Sequence, residues 1–422
     1  YNIKQGIKNT LAPGHIFEDL GLKYFGPVDG HDLPALIEKL NELKDLQTPA
    51  VLHIKTVKGK GYEWACDDPT TFHSPKPFRV EGCRVVLEKG NGRSWTAAFA
   101  DAMVALAKKH PEIVGITAAM PDGTGMIKLK PTFPHRYFDT GICEGHATAM
   151  AAGMTKAGLR PIVAIYSTFL QRAFDQVFQE VCLQGLPVIF CCDRAGLVGD
   201  DGAVHHGFCD LAFLRSQPGI VLMAPSDEPE LLRCMDLAVA LDKPTEIRYP
   251  RDNVPPTPLG EDTAWGITRT GGVSRTLREG ADATIVAYGS LAWQALDAAK
   301  LLEAEGLQVG VVDARFCKPL DGAMIERVFA KGTAVITVED HAAINGFGTA
   351  LLEHATEQRF DTRLMTRLGL PDRFIKFASR GQQLAEVGLD VAGIARSVRA
   401  AIEEANAPRE MPAAKRLSPQ MR

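Results

Sequence analysis

Between residues 138 and 207 the sequence reads FDTGICEGHATAMAAGMTKAGLRPIVAIYSTFLQRAFDQVFQEVCLQGLPVIFCCDRAGLVGDDGAVHHG, and short apolar runs alternate with helical stretches. Each run ends in residues able to do chemistry. Glu144 stands in a strand-to-helix turn, and the small residues after it allow a helix to pack closely. The run 161–166 leads into Tyr-Ser-Thr-Phe-Leu-Gln-Arg at 166–172, and the run 187–193 leads into Arg194 and a Gly/Asp/His loop. Strands that alternate with helices imply a parallel sheet covered by helices. Ligands of such sheets bind at the carboxyl ends of the strands. Three strand ends therefore bring a carboxylate, an aromatic pair, two arginines and a histidine together.

The same alternation organises most of the chain into an α/β protein. Ser94 is placed to cap a helix over 95–109, followed by a strand over 113–117, a helix over 144–157, a strand over 161–166, a helix over 170–184 and a strand over 187–193. These make one domain, 94–255. Pro255, Pro256 and Pro258 mark a linker, 256–268. Strands over 283–288, 308–313 and 334–339 place a further α/β domain at 269–403. Residues 404–422 are charged, lack apolar periodicity and read as a tail. At the other end, residues 1–80 read as the end of another domain. There Asp32 can cap a helix over 33–46, a strand follows over 51–57, and Lys58-Gly-Lys-Gly turns away from it. Residues 69–93 are rich in Pro, Gly and charge, and 81–93 read as a linker.

Composition excludes several classes. With 422 residues, 45% of them hydrophobic, the chain has room for two or three ordinary cores. A formal charge of −4 argues against a non-specific nucleic-acid surface. No apolar run has membrane-spanning length. The nine cysteines contain no Cys-x-x-Cys spacing, and Cys191-Cys192 in an apolar strand read as small hydrophobes. Reduced thiols and no visible transit peptide suit a cytoplasmic protein. No His/Cys/Asp spacing suggests zinc, and the 199–202 turn lacks the Gly-Lys-Ser/Thr of a phosphate-binding loop. The first residue is Tyr1, with no start methionine, which reads as a chain that begins mid-protein.

The ordered motifs resemble the 1-deoxy-D-xylulose-5-phosphate synthase family, thiamine-diphosphate enzymes of the transketolase superfamily. The matching residues are Gly-Ile-Cys-Glu-Gly-His at 141–146, the run 166–172, Asp193-Arg-Ala-Gly-Leu-Val-Gly-Asp-Asp-Gly at 193–202 with His205, and Arg-Tyr-Pro-Arg at 248–251. Upstream, Tyr-Phe-Gly-Pro-Val-Asp-Gly-His-Asp at 24–32, Lys-Gly-Lys-Gly-Tyr at 58–62 and Thr-Phe-His at 71–73 match as well. Gly145, Val204 and Asp340-His341 depart from the family pattern, which usually has Gln, Thr and Glu-Asn there.

The resemblance implies a parallel-sheet pyrimidine-binding domain followed by a transketolase-type carboxy-terminal domain. It also implies thiamine diphosphate and Mg2+ as cofactors. The implied reaction is decarboxylative condensation of pyruvate with D-glyceraldehyde 3-phosphate, feeding non-mevalonate isoprenoid synthesis and thiamine synthesis, in a homodimer. Glu144 would bond the aminopyrimidine ring nitrogen from a largely apolar pocket that includes Ile142. Locally, the same carboxylate also reads as one complementing a helix dipole. Phe169 would stack on the aminopyrimidine, and Lys58 would approach the cofactor. Tyr166, Arg194, Arg251 and, more weakly, Arg172 would hold the substrate phosphate through guanidinium forks. His73, His205 and Asp201 would contact substrate or intermediate, with His206 pointing elsewhere. The family's Gly-Asp-Gly…Asn segment, which holds the metal and diphosphate, has no counterpart in this sequence. Pro121-Asp-Gly123 does not follow a buried strand with a suitable Asn. The metal ligands are therefore expected in a missing amino-terminal domain. The alternatives are another superfamily subunit, either a transketolase carboxy-terminal half or a 2-oxoacid dehydrogenase β subunit, or a non-catalytic oligomerisation paralogue.

Overall fold

A computed structural model describes residues 15–69, 71–73, 77–82, 84–87, 92–256 and 264–407. It divides into two compact units, 1–91 and 92–422. The tail expected over 404–422 falls largely outside the described residues, as does most of the 256–268 linker.

In the first unit, β1 (Lys23–Asp29) and β2 (Ala50–Lys55) pair in parallel across α1 (Leu33–Leu43). Asp32 caps α1 by accepting from the Ala35 N–H at 3.1 Å. The helix stops three residues before the expected end, where Leu46 N bonds to Leu43 O in a tight closing turn. The stretch read as a linker contains an antiparallel hairpin, β3 (Phe78–Glu81) and β4 (Arg84–Leu87), which reverses at Gly82 with φ +60°. Four-residue strands rich in charge carry too little alternation to stand out in sequence.

The second unit opens with α2 (Trp95–Lys109), capped by Ser94 Oγ accepting from Ala97 N at 3.1 Å. Next come β5 (Ile113–Thr117), β6 (Tyr137–Asp139), α3 (Glu144–Lys156), β7 (Arg160–Tyr166), β8 (Ile189–Asp193), β9 (Val221–Met223), α4 (Glu228–Ala240) and β10 (Thr245–Arg248). A second run follows: β11 (Arg275–Arg278), β12 (Ala283–Tyr288), α5 (Ala292–Glu303), β13 (Val309–Asp313), β14 (Phe316–Lys318), α6 (Gly322–Ala330), β15 (Ala334–Ala342), α7 (Phe347–Glu357), β16 (Met365–Leu370), α8 (Arg380–Glu386) and α9 (Val391–Asn406). The strands form a seven-stranded sheet, β14-β9-β10-β8-β7-β5-β6, and a five-stranded sheet, β11-β13-β12-β15-β16. Only β14 and β11 run antiparallel to their neighbours in these sheets.

β7 and β8 are buried on both faces, as central parallel strands are. Ile162, Ala164, Ile189 and Cys191 pack with Trp95, Phe99 and Met103 of α2. The alternate residues Val163, Ile165, Phe190 and Cys192 pack with Ala147 and Ala151 of α3, in a cluster that continues to Val286 and Phe347 below the second sheet. Register aligns Tyr166 with Asp193 at the carboxyl ends of β7 and β8.

Two features differ from the sequence expectation. The single helix over 170–184 is instead a series of short turns: Ser167–Leu170 is α-helical, Gln171–Ala173 is 3-10, Phe174–Gln176 is α-helical and Val177–Cys182 is π-helical. Changes of hydrogen-bond register of this kind concentrate at functional sites. Second, β14 leaves the carboxy-terminal sheet and pairs with β9 at the edge of the other one. Arg315, with φ +57°, makes that turn, fully buried. Its guanidinium forks onto Glu230 of α4 at 2.8 and 3.0 Å. Burial raises the Glu230 carboxyl even against Arg315.

Removing one partner of a buried pair strands the other charge. Glu230→Ala should therefore cost about 3–5 kcal/mol in chemical denaturation, and a change below 1 kcal/mol would rule out this pair as a tie between the sheets.

Candidate functional site

Glu144 is placed by a turn that the sequence builds from Asp139 to Cys143. Asp139 Oδ1 accepts from Ala119 N at 2.7 Å and Gly141 N at 3.0 Å. Gly141 has φ +69°, a conformation that favours glycine. The chain then enters α3 with Glu144 as its first residue, 3% exposed. Its Oε1 lies 2.7 Å from Arg172 Nη1.

From Arg172 the contacts run on without a break. Its guanidinium carbon sits 4.6 Å from the Phe169 ring centre. Phe169 stacks on Tyr166 at 5.7 Å and 18°, and His205 meets it edge-on at 5.5 Å and 73°. The Arg194 guanidinium lies over the Tyr166 ring at 3.8 Å. Arg194 Nη1 donates to Gly123 O at 2.7 Å and to Asp193 Oδ1 at 3.1 Å. Its Nε lies 3.7 Å from Asp201 Oδ2. Asp201 Oδ1 is 3.1 Å from Arg251 Nη1, which also donates to Val198 O at 3.1 Å. His205 Nδ1 is 3.2 Å from Asp201 O.

Arg194 adopts φ +62°, a left-handed conformation that costs an ordinary residue about 1–2 kcal/mol. The bonds to Gly123 and Asp193 hold it there, and strain of this kind marks functional sites. Burial raises the Asp193 carboxyl, which accepts from Thr96 Oγ1 at 2.7 Å. Burial likewise raises the Tyr166 phenol, with Arg194 pulling it the other way.

The second unit thus brings Glu144, Tyr166, Phe169, Arg172, Arg194, Asp201, His205 and Arg251 into one contact chain. Two residues stand differently from the local expectation. Arg172, expected with the phosphate-binding arginines, lies in the 3-10 turn Gln171–Ala173 and is paired with Glu144 here. The surroundings of Glu144 are therefore not largely apolar. Ile142, expected to line them, is 75% exposed, and Cys143 is exposed too. As expected, His206 turns from the site: it is buried, and its Nδ1 accepts from Val198 N at 3.2 Å.

Lys58 and His73 belong to the first unit. Lys58 is exposed in a turn beside Gly59, which has φ +78°. His73 is exposed after Phe72, whose ring packs edge-on against Tyr62 and Phe78. Among the described residues no group of three His, Cys, Asp or Glu could hold a metal ion, and no helix is long and apolar enough to cross a membrane.

Sequence reasoning missed Gly123. A Cβ there would lie 1.7 Å from Tyr166 Oη, so the strand-end tyrosine needs glycine at that position. The Asp-Gly pair at 122–123 was the available signal, weighed only as a metal motif. Also missed were Asp340, Arg380 and Gln383, whose side chains bind the backbone of 197–199. Nothing in their local sequence advertises that contact.

Comparison with known proteins finds matches over most of the chain. Residues 91–257 match the transketolase pyrimidine binding domain, 272–394 the transketolase C-terminal domain, and 1–56 the model described as 1-deoxy-D-xylulose-5-phosphate synthase. The chain is 44% identical over 405 residues to 1-deoxy-D-xylulose-5-phosphate synthase 1 of Geobacter sulfurreducens, covering 96% of this chain and 63% of that protein. It is 43% identical over 403 residues to the Aquifex aeolicus synthase, covering 94% and 62%. It thus spans a little over three fifths of the length of these relatives. Among solved structures, a split-gene transketolase described as an inactive beta4 tetramer superposes with a TM-score of 0.65 at 29% identity, covering 74% of this chain and 99% of that one. Transketolase of Campylobacter jejuni, at 17% identity and a TM-score of 0.61 over 93% of this chain and 70% of its own, shares the fold. The chain belongs to the 1-deoxy-D-xylulose-5-phosphate synthase family of the transketolase superfamily.

Proposed function

We propose that this chain supplies the pyrimidine-binding and substrate-phosphate parts of a thiamine-diphosphate enzyme that condenses pyruvate with D-glyceraldehyde 3-phosphate, releasing CO2 and 1-deoxy-D-xylulose 5-phosphate. The observation that carries the reading is the unbroken contact chain from Glu144 through Phe169 and Tyr166 to Arg194, Asp201 and Arg251. It joins a buried carboxylate and an aromatic face to a pair of guanidiniums, the two ends that a cofactor and a phosphorylated aldehyde would need. We hold to the domain division 1–80, 94–255 and 269–403, to a cytoplasmic homodimer, and to the non-mevalonate isoprenoid route as its context.

The donor set fits the aminopyrimidine end of thiamine diphosphate. A protonated ring nitrogen would find an acceptor in the Glu144 carboxylate, and Phe169 offers a face for the ring. When bound, the cofactor supplies the electron sink for decarboxylation and carbon–carbon bond formation. Glu144 holds and exchanges a proton at that ring nitrogen. Arg172, already on Glu144 Oε1, keeps the carboxylate oriented. Arg194 and Arg251 neutralise the aldehyde's phosphate, with Tyr166 beside them and Asp201 fixing their spacing. His205, between Asp201 and the Phe169 ring, is assigned to contact the substrate or intermediate. Lys58, Ile142 and His73 keep their proposed roles, Lys58 and Ile142 toward the cofactor and His73 toward the reaction intermediate. We assign Mg2+ and its ligands to the part of the family's length that this chain does not span.

Three outcomes test the reading. In an enzyme completed with the amino-terminal segment, Glu144→Ala should lower turnover by about 10²–10⁴-fold with circular dichroism unchanged. More than half of the activity remaining would refute the role of this carboxyl. Arg194→Ala or Arg251→Ala should remove a charge-assisted contact worth roughly 1.5–3 kcal/mol from glyceraldehyde 3-phosphate. Unphosphorylated glyceraldehyde should be much less affected, and equal losses on both aldehydes would exclude a phosphate clamp. Residues 1–422 alone, given Mg2+ and thiamine diphosphate, should release no CO2 from pyruvate with glyceraldehyde 3-phosphate until the amino-terminal segment is added. Turnover by the chain alone, shown pure by intact mass, would overturn the placing of the metal site.

A further inference from the structure

We infer that Arg380 and Gln383 of α8, with Asp340 of β15, are positioning residues for the substrate-phosphate end of the site. They act by fixing the backbone of 197–199. Asp201, Arg194 and His205 belong to the same loop, 194–207, which lacks regular strand structure and cannot satisfy all of its own backbone groups. It pairs some of them internally, as Gly196 with Gly207, and the other buried N–H and C=O groups need partners from outside it.

Those partners come mostly from the carboxy-terminal half. Asp340 Oδ1 accepts from Leu197 N at 3.0 Å, and Arg380 Nε donates to Leu197 O at 3.0 Å. Gln383 Oε1 accepts from Gly199 N at 2.9 Å, and its Nε2 donates to Gly199 O at 3.2 Å. Both groups of Leu197 and both of Gly199 are thus held by side chains far away in sequence. Between them, Val198 N bonds to His206 and Val198 O to Arg251. The holding side chains are themselves fixed. Arg380 Nη2 reaches Asp340 Oδ2 at 2.6 Å, and its Nη1 reaches Asp252 Oδ2 at 2.7 Å. Gln383 is fully buried and also donates to Lys376 O at 3.0 Å. Ser379 caps α8 in a capping box, so Arg380 starts from a rigid helix end.

The bend fixed in this way is short. Gly199 begins the single 3-10 turn that ends in Asp201, two residues beyond the last clamped group. Gly196, at φ +78°, packs so closely on Asp340 that a Cβ would lie 2.0 Å from its carboxyl carbon. The carboxy-terminal half therefore sets where Asp201 meets Arg194 and Arg251 by holding the backbone of Leu197 and Gly199. The inference rests on the reading of Arg194, Asp201 and Arg251 as the phosphate end of the site.

Two variants test it, Arg380→Lys, which keeps the charge and loses the fork, and Gln383→Met, which keeps the shape and loses both bonds to Gly199 with the one to Lys376. Hydrogen exchange on the 422-residue chain should show the Leu197 and Gly199 amides exchanging about tenfold faster, the effect of one lost hydrogen bond. Amides of β12 should stay within about twofold, local opening being separable from global unfolding. In the enzyme completed with the amino-terminal segment, KM for glyceraldehyde 3-phosphate should rise about fivefold or more while KM for pyruvate changes less than twofold, a split a general loss of fold does not give. In an Asp201→Ala background the same variants should add less than about a twofold further change, since residues acting through one another are not additive. Unchanged exchange, uniform acceleration across both sheets, or faster exchange with both KM values unmoved would each overturn the inference. If the wild-type assembly does not condense the two substrates at all, the functional reading itself fails and takes this inference with it, whereas the exchange result then still reports on the loop.

Discussion

The closure of the loop 194–207 depends on one buried ion pair at the junction between the two sheets. Arg248, at the end of β10, places Nε 2.8 Å from Asp210 Oδ2, and its Nη2 bonds to Asp210 Oδ1, to Gly207 O and to Asp340 O. Burial alone would raise the Asp210 carboxyl, yet Arg248 and its neighbours hold it below its ordinary value. The surrounding titratable groups are pushed toward neutrality instead. Burial and the nearby Asp210 raise Glu246 well above the carboxylate range, and burial lowers the His341 imidazole to about 4. Glu339 is raised by burial to about 7 although it accepts from Phe347 N and Gly348 N. Burial thus shifts these neighbours toward their neutral forms around a compensated charge pair, the arrangement that makes a polar interior tolerable.

This pair matters because of what it holds in place. Gly207 closes the loop 194–207 through mutual backbone bonds with Gly196 at 2.7 and 2.8 Å, and Ala195 N bonds to Tyr249 O at 3.0 Å. Arg248 ties that closure to Asp340, whose side chain then holds Leu197. An irregular loop becomes as well determined as the strand it follows, and Arg194 can keep its unfavourable backbone angle. Chemistry carried on a loop that is fixed by a rigid scaffold is the usual arrangement in α/β proteins.

How much of this was legible in the sequence follows from the range of the forces involved. The helix at 95–109 and the strands at 113–117 and 283–288 have the bounds expected, since a serine cap and buried β-branched runs act locally. The strand-end residues Tyr166, Phe169, Arg194 and His205 were legible for the same reason. The broken helix after Ser167 was not, because apolar spacing near 3.6 does not separate α turns from 3-10 and π turns, and so the pairing of Arg172 with Glu144 was not legible. The crossing of β14 into the first sheet, the glycine demanded by Tyr166 at 123, and the clamp from Arg380 and Gln383 are tertiary. Each depends on residues from about 40 to nearly 190 positions apart, and no local pattern records them.

The charge at the phosphate end shows why an acid belongs among its arginines. Two guanidiniums brought together without an anion would repel each other and spread. Asp201 lies 3.1 Å from Arg251 and 3.7 Å from Arg194, so it holds both in place before any ligand arrives. Of its two contacts the one to Arg194 is beyond hydrogen-bond length, and Arg194 Nε is buried with no hydrogen-bond partner among the described residues. A buried donor left unmet is costly, and a phosphate oxygen meeting it would gain more than one meeting a donor already satisfied. The arginine pair is thus preorganised by one carboxylate and left short by one bond at Arg194 Nε.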